Sequence, residues 1–181
     1  LLTAELRAKR GKKGTIGTGS MNEPSMPVET AVMMVNKALQ IIAREKVPVH
    51  IITTSDLVLR DADILQEISA TYAAVSFTIT TADDDLAAHL EPGAPSTTRR
   101  FAALKALAQK GIYVGITLMP VLPFINDTPE NIAAILKRAK DCGAFYAIPM
   151  FGTTLRKGSR DYLYGALDRE FPGMKQKYSV A

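Results

Sequence analysis

Five short apolar runs, each separated from the next by an amphipathic stretch, set the strongest limit on how this chain can fold. The runs are 14–19 (GTIGTG), 47–54 (VPVHIITT), 73–80 (AAVSFTIT), 112–119 (IYVGITLM) and 144–150 (AFYAIPM). They are rich in Val, Ile, Thr and aromatic residues and almost continuous in apolar character, as strands covered on both faces of a parallel sheet are. Between them, Val28, Val32, Val35, Leu39 and Ile42 step by four and three residues, which predicts a helix over 27–46 with Pro27 in its first turn. Phe101, Leu104 and Leu107 predict another over 96–110 behind a Ser96 cap, and Ile132, Ile135, Leu136 and Ala139 one over 128–141 between Thr128 and Gly143. Shorter helices are expected at 61–70, 83–89 and 158–170. Strands joined through helical crossovers predict an α/β fold with a parallel sheet.

Composition narrows the class. At 181 residues, 47% hydrophobic and 22% charged, the chain is expected to be a single folded domain. No apolar run approaches the ~20 residues of a membrane helix, so no membrane partner is expected. Cys142 is the single cysteine, which excludes an internal disulfide and a multi-cysteine metal site and fits a reducing, cytoplasmic location. The net charge of +4 gathers at 5–13 and 155–160, where solvated helix faces or phosphate contacts both account for it. The opening LLTAELRAKR reads as mid-helix and suggests a start upstream of Leu1.

Parallel α/β sheets carry their sites at the carboxyl ends of the strands. Those ends here offer Thr18-Gly19-Ser20, Thr53-Thr54-Ser55 and Thr78-Ile79-Thr80, hydroxyls and exposed amides suited to a polar ligand. No Ser–His–Asp set is visible, and His50, inside a strand, and His89, in a short helix, read as structural or surface residues. Asp83, Asp84 and Asp85 read as helix-capping acids rather than a metal cluster. GTIGTGS imitates a dinucleotide fingerprint, but its glycines stand in the wrong order and precede no immediate helix.

Three stretches go further: IITTSDLVLRDADIL (51–65), VSFTITTADDDLAAHLEPGAPSTTRRFAALKALAQKGI (75–112) and MPVLPFINDTPENIAAIL (119–136). With the tail over 151–178, they resemble the radical S-adenosylmethionine enzymes related to spore photoproduct lyase. That resemblance implies a partial (β/α) barrel, of which this chain would hold about five of six strands, with S-adenosylmethionine and a [4Fe–4S] cluster as cofactors. In the family a CxxxCxxC loop holds the cluster, which makes a 5′-deoxyadenosyl radical from the sulfonium nucleotide. That loop has no counterpart here, so the cluster ligands are absent from this chain and the expected state is inactive without them. Cys142 is then a buried structural thiol.

The resemblance places the cofactor against Gly17, Thr18, Gly19 and Ser20, with Thr53, Ser55, Thr78 and Thr80 lining the pocket and Asn126 near the adenine. Relatives usually carry Asp and Tyr where Glu23 and Ser25 stand, and Lys where Thr54 stands. Arg60 and Asp61 also match family positions, and Arg99 and Arg100 read either as phosphate contacts or as partners of acids such as Glu91. DNA is a candidate partner through the lyase. Two other classes stay open: a non-catalytic α/β remnant or binding module, and an unrelated α/β barrel enzyme. If the strand preceding 14–19 is missing, self-association through that edge is expected, or cover by the N-terminal helix.

Overall fold

The computed structural model describes residues 1–9, 14–19, 22–152 and 158–179. Five strands, β1 (Ile16–Thr18), β2 (Val49–Thr53), β3 (Ala73–Thr78), β4 (Tyr113–Val121) and β5 (Tyr146–Phe151), form one sheet in the order β1-β2-β3-β4-β5. Every neighbouring pair is parallel, with Thr18 opposite Ile51, Thr53 opposite Phe77 and Thr78 opposite Thr117. The strands end together at their carboxyl side, as the alternating pattern predicts for an α/β fold. This is a partial barrel rather than a closed one.

The period of two sorts the side chains. Val49, Ile51, Val75, Phe77, Val114, Ile116 and Leu118 enter one core with Leu39, Ile42, Leu65, Leu104, Leu107 and Ile135 from the helices. His50, Ser76, Gly115, Thr117 and Tyr146 fall on the opposite phase, so the second face of the sheet is polar. Both edges depart from the fully buried strand that the apolar runs suggest. β1 has only three residues. Along β5, Ile148, Met150 and Phe151 are exposed, because among the described residues no element covers that edge.

The helices follow the expected spans except at the first. The predicted 27–46 helix is two, α2 (Glu29–Val32) and α3 (Met34–Glu45), broken where Met33 adopts φ 55°. The cause is Glu29, whose carboxylate turns back onto the amides of Met34 (3.0 Å) and Val35 (2.8 Å) at the start of α3. The predicted stripe breaks with it: Leu39 and Ile42 are buried, whereas Val28 and Val32 are 55% and 43% exposed. Ahead of α4 (Ala62–Ser69), residues Asp56–Asp61 form a 3-10 turn. α5 (Asp84–Leu90), α6 (Thr97–Gln109), α7 (Pro129–Asp141) and α8 (Ser159–Glu170) match the expected positions. The opening stretch that reads as helical is α1 (Leu2–Ala8), which packs on α3 and pairs Arg7 with Glu45 (2.8 Å), while α9 (Met174–Ser179) lies outside the expected set. Cys142 is half-buried against the core, not fully enclosed. Among the described residues no helix is long and apolar enough to cross a membrane.

Candidate functional site at the strand ends

At the carboxyl end of β1, Gly19 has φ 89°, and a Cβ there would stand 1.7 Å from the Ile52 carbonyl oxygen. Only glycine lets the chain pass that close to β2. The chain then returns to lay Glu23 over the end of β2. Its Oε1 accepts from the Thr53 hydroxyl (2.5 Å) and the Ser25 amide (2.9 Å). Its Oε2 accepts from the Thr54 amide (2.6 Å) and the Thr54 hydroxyl (2.7 Å). Four donors meet one carboxylate, which fills its usual accepting capacity.

Glu23 and Thr54 stand between two openings. A cavity of about 180 Å³ is lined by Gly19, Asn22, Glu23, Ile52, Thr53, Thr54 and Thr78. A cleft of about 460 Å³ lies on the other side, bounded by Met26, Thr30, Ser55, Leu57, Pro95 and Arg99. Of the described residues lining the smaller cavity, Glu23 alone is ionisable. The Thr78 hydroxyl shares a 2.8 Å hydrogen bond with Thr117 across the neighbouring strand.

The supports beneath this mouth are charged, with Glu29, Asp61 and Arg100 buried, Arg60 partly buried and Arg99 exposed. Arg60 donates to both carboxylate oxygens of Asp61 (3.0 and 2.8 Å) and reaches Glu29 (3.2 Å), while Asn36 donates to Asp61 (2.6 Å). Burial acts to raise the Glu29 carboxyl, but hydrogen bonds from Val35, Asn36, Arg60 and Met34 outweigh it and hold the group below its ordinary range. Arg100, 1% exposed, donates to the carbonyls of Pro95 (2.9 Å) and Thr78 (2.8 Å) and pairs with Glu91 (2.9 Å). Arg99 pairs with Asp56 (2.7 Å). Deeper on the polar face, Ser76 Oγ bridges His50 Nε2 (2.7 Å) and the Tyr146 hydroxyl (2.8 Å), and burial lowers the His50 pKa.

The residues singled out in the sequence divide accordingly. Gly19, Thr53 and Thr78 line the small cavity, and Ser55 lines the cleft while capping the 3-10 turn through the Leu57 amide. Gly17 is exposed beside His50 on the polar face. Thr18 pairs with Ile51 on the helix-facing side, where its hydroxyl is buried without a partner. Thr80 is buried against Glu91. Asn126 is buried too, its amide spent on the Leu122 amide and the carbonyls of Thr80 and Pro120. Ser20 lies outside the described residues. Asp83 caps α5 through the amides of Asp85 and Leu86, and the described residues contain no group of three or more His, Cys, Asp or Glu placed to hold a metal. Glu23 and Glu29 organise the site, yet Glu23 meets Thr53 and Thr54, and Glu29 meets Arg60, some thirty residues on, beyond the reach of local pattern.

A parallel sheet of this order with a polar mouth is the frame of radical enzymes that use S-adenosylmethionine, and residues 2–143 match the Radical SAM superfamily. The chain belongs to that superfamily. An uncharacterized protein of Mycobacterium tuberculosis is 25% identical over 179 residues, covering 98% of this chain and 52% of that protein. Another, from Methanocaldococcus jannaschii, is 29% identical over 160 residues, covering 88% and 58%. The chain therefore spans about half the length of these curated relatives. Among solved structures, a spore photoproduct lyase mutant with dinucleoside spore photoproduct superposes with a TM-score of 0.66 at 13% identity, covering 94% of this chain and 49% of that one. Streptococcus suis SuiB bound to S-adenosylmethionine superposes with a TM-score of 0.62 at 13% identity, covering 92% and 38%. At such identities the likeness is one of fold.

The superfamily implies an iron–sulfur cluster and S-adenosylmethionine. The donor set does not fit the cluster, because the 181 residues hold one cysteine and thiolates are the ligands required. The mouth does fit the cationic part of the nucleotide, with Glu23 facing a hydroxyl-lined cavity.

Proposed function

We propose that this chain supplies the nucleotide-binding strand ends of a radical S-adenosylmethionine enzyme in the spore photoproduct lyase-like group. The carrying observation is Glu23, pinned by Thr53 and Thr54 as the one ionisable group of the small cavity among the described residues. A fixed carboxylate attracts the ammonium and sulfonium charges of the cofactor at short range. Gly19 keeps the approach clear, and the Thr78–Thr117 pair offers a hydroxyl to the same space. When bound beside a reduced cluster, S-adenosylmethionine supplies a 5′-deoxyadenosyl radical that abstracts hydrogen; the three thiolates this needs must come from beyond these residues' own donor set.

The substrate class is less defined. DNA is the candidate carried by the group's name, but the described loops after β1 to β4 carry Glu23, Asp56, Asp83, Asp84, Asp85 and Asp127, of which Glu23 and Asp56 line the two openings. The arginines there, Arg60, Arg99 and Arg100, are each paired with a carboxylate. Phosphate recognition draws on basic side chains, which this rim spends on its own acids.

Isothermal titration of the purified chain with S-adenosylmethionine tests the reading: saturable binding at about 100 µM or tighter is expected. No saturation at millimolar ligand refutes it. A second reading, a non-catalytic binding module, is favoured by the single cysteine. Binding without cleavage, in the full gene product reconstituted with iron, sulfide and reductant, selects it.

A further inference from the structure

Between α2 and α3 the helical ladder skips three rungs. The Met33 amide still donates to the Glu29 carbonyl (3.2 Å) and the Lys37 amide to the Met33 carbonyl (3.0 Å), four residues back in each case. The amides between them, of Met34 (3.0 Å), Val35 (2.8 Å) and Asn36 (3.4 Å), donate instead to the Glu29 carboxylate. In an unbroken helix they would donate to the carbonyls of Thr30, Ala31 and Val32. Carboxylate and helix therefore compete for the same donors, and the carboxylate holds them. Met33, at φ 55°, carries the left-handed turn that results. Arg60, in the 3-10 turn that follows β2, clasps the break. It donates to the Glu29 carbonyl (2.8 Å), to Glu29 Oε1 (3.2 Å) and to Met33 Sδ (3.3 Å).

The break decides where the chain ahead of it lies. Ser25, Met26, Pro27 and Thr30 form one wall of the cleft of about 460 Å³, and Glu23 lies over the end of β2. Were 27–46 one helix, Pro27 would stand about 10 Å beyond Met34 along its axis, and the 23–26 stretch would leave β2 with it. We infer that Glu29 is a positioning residue for the mouth: by taking the amides of Met34, Val35 and Asn36 it breaks the helix and lays Glu23 against Thr53 and Thr54. The consequence for ligand binding rests on the proposed nucleotide site.

The Thr54 amide, whose acceptor is Glu23, reports that placement without any ligand. Its hydrogen exchange, followed by NMR, and calorimetric titration with S-adenosylmethionine are compared in the wild-type chain, Glu29→Ala, Met33→Gly and the double variant. In Glu29→Ala the Thr54 amide is expected to exchange about tenfold faster or more, the Met33 Cα shift to move to its helical value, and nucleotide affinity to fall about tenfold. Adding Met33→Gly is expected to return exchange and affinity to within about threefold of wild type, because glycine accepts positive φ freely and disfavours a helix interior. A merely structural loss at Glu29 would gain nothing from a glycine at the break. Unchanged Thr54 exchange in Glu29→Ala overturns the inference, as does a double variant no closer to wild type than Glu29→Ala. Met33→Gly alone decides the matter where Glu29→Ala fails to fold: equal or slower Thr54 exchange is expected, and faster exchange overturns the inference. Absence of saturable S-adenosylmethionine binding by the wild type refutes the nucleotide site itself, while Thr54 exchange still decides the role of Glu29.

Discussion

Gly115→Ala is the substitution whose cost follows most directly from the geometry. Gly115 lies buried in β4 with Tyr146 of β5 folded across it, and an added Cβ would stand 2.4 Å from Tyr146 Cε2 and 2.5 Å from Cδ2. Carbon atoms rest at about 3.5–4.0 Å, so the overlap exceeds about 1 Å and the ring must swing off the strand. That loses the Ser76–Tyr146 hydrogen bond (2.8 Å), worth about 1 kcal/mol net, and the packing of Tyr146 on Tyr113 at 5.3 Å between centroids, worth about 0.5–1.5 kcal/mol. Residual crowding adds about 1–2 kcal/mol. Alanine recovers about 0.4–1 kcal/mol by restricting the unfolded chain. Urea unfolding should therefore show a net loss of about 2–3 kcal/mol. Repeating the substitution in a Tyr146→Ala background removes the obstacle, so there the same change should be neutral or slightly stabilising. A loss below about 0.5 kcal/mol in the native background, or an equal loss in both, refutes the reasoning.

Three further outcomes are expected. Glu29→Gln should cost about 2 kcal/mol in chemical unfolding, since a buried carboxylate with charge-assisted bonds is lost. Because the Glu29 pKa is lowered in the fold, its stabilisation is present above the ordinary carboxyl range and lost as pH falls through the folded value, so the variant's melting temperature should vary less with acid than the wild type's. Burial lowers the His50 pKa, so the unfolded chain takes a proton near 6.5 that the fold refuses; stability should fall as pH drops below that value, and His50→Asn should flatten the trend in thermal melts. Asn126→Ala should cost about 2–3 kcal/mol by stranding the Leu122 amide and two carbonyls, while leaving nucleotide affinity unchanged in calorimetry.

Strands and most helices were legible because their signals are local. Apolar runs rich in β-branched residues mark strands wherever they occur, and Ser96 and Thr128 cap α6 and α7 as their chemistry dictates. The break at Met33 was not legible, since the 27–46 stripe satisfies helical spacing throughout; only the folded chain shows Glu29 bending back onto α3. The exposed edge of β5 has the same origin, because an apolar run records what a strand can bury and not whether a neighbour is present. At the mouth, Gly19, Thr53 and Thr78 were readable as strand ends, but Glu23 looked like a mere departure from a familiar pattern. What makes it central is two threonines on another strand.

The crossing of Tyr146 over Gly115 also has an optical consequence. The chain has no tryptophan and six tyrosines, so its ultraviolet emission is tyrosine's alone. Three of those rings form a ladder, Tyr72 to Tyr113 at 6.2 Å and Tyr113 to Tyr146 at 5.3 Å, near the amino ends of β3, β4 and β5. Phenols that close share excitation, and their emission should brighten when the strands part. A nucleotide seated at the far end of the sheet should leave that signal still, so the molecule reports its own unfolding with an unlabelled chromophore that is blind to its ligand.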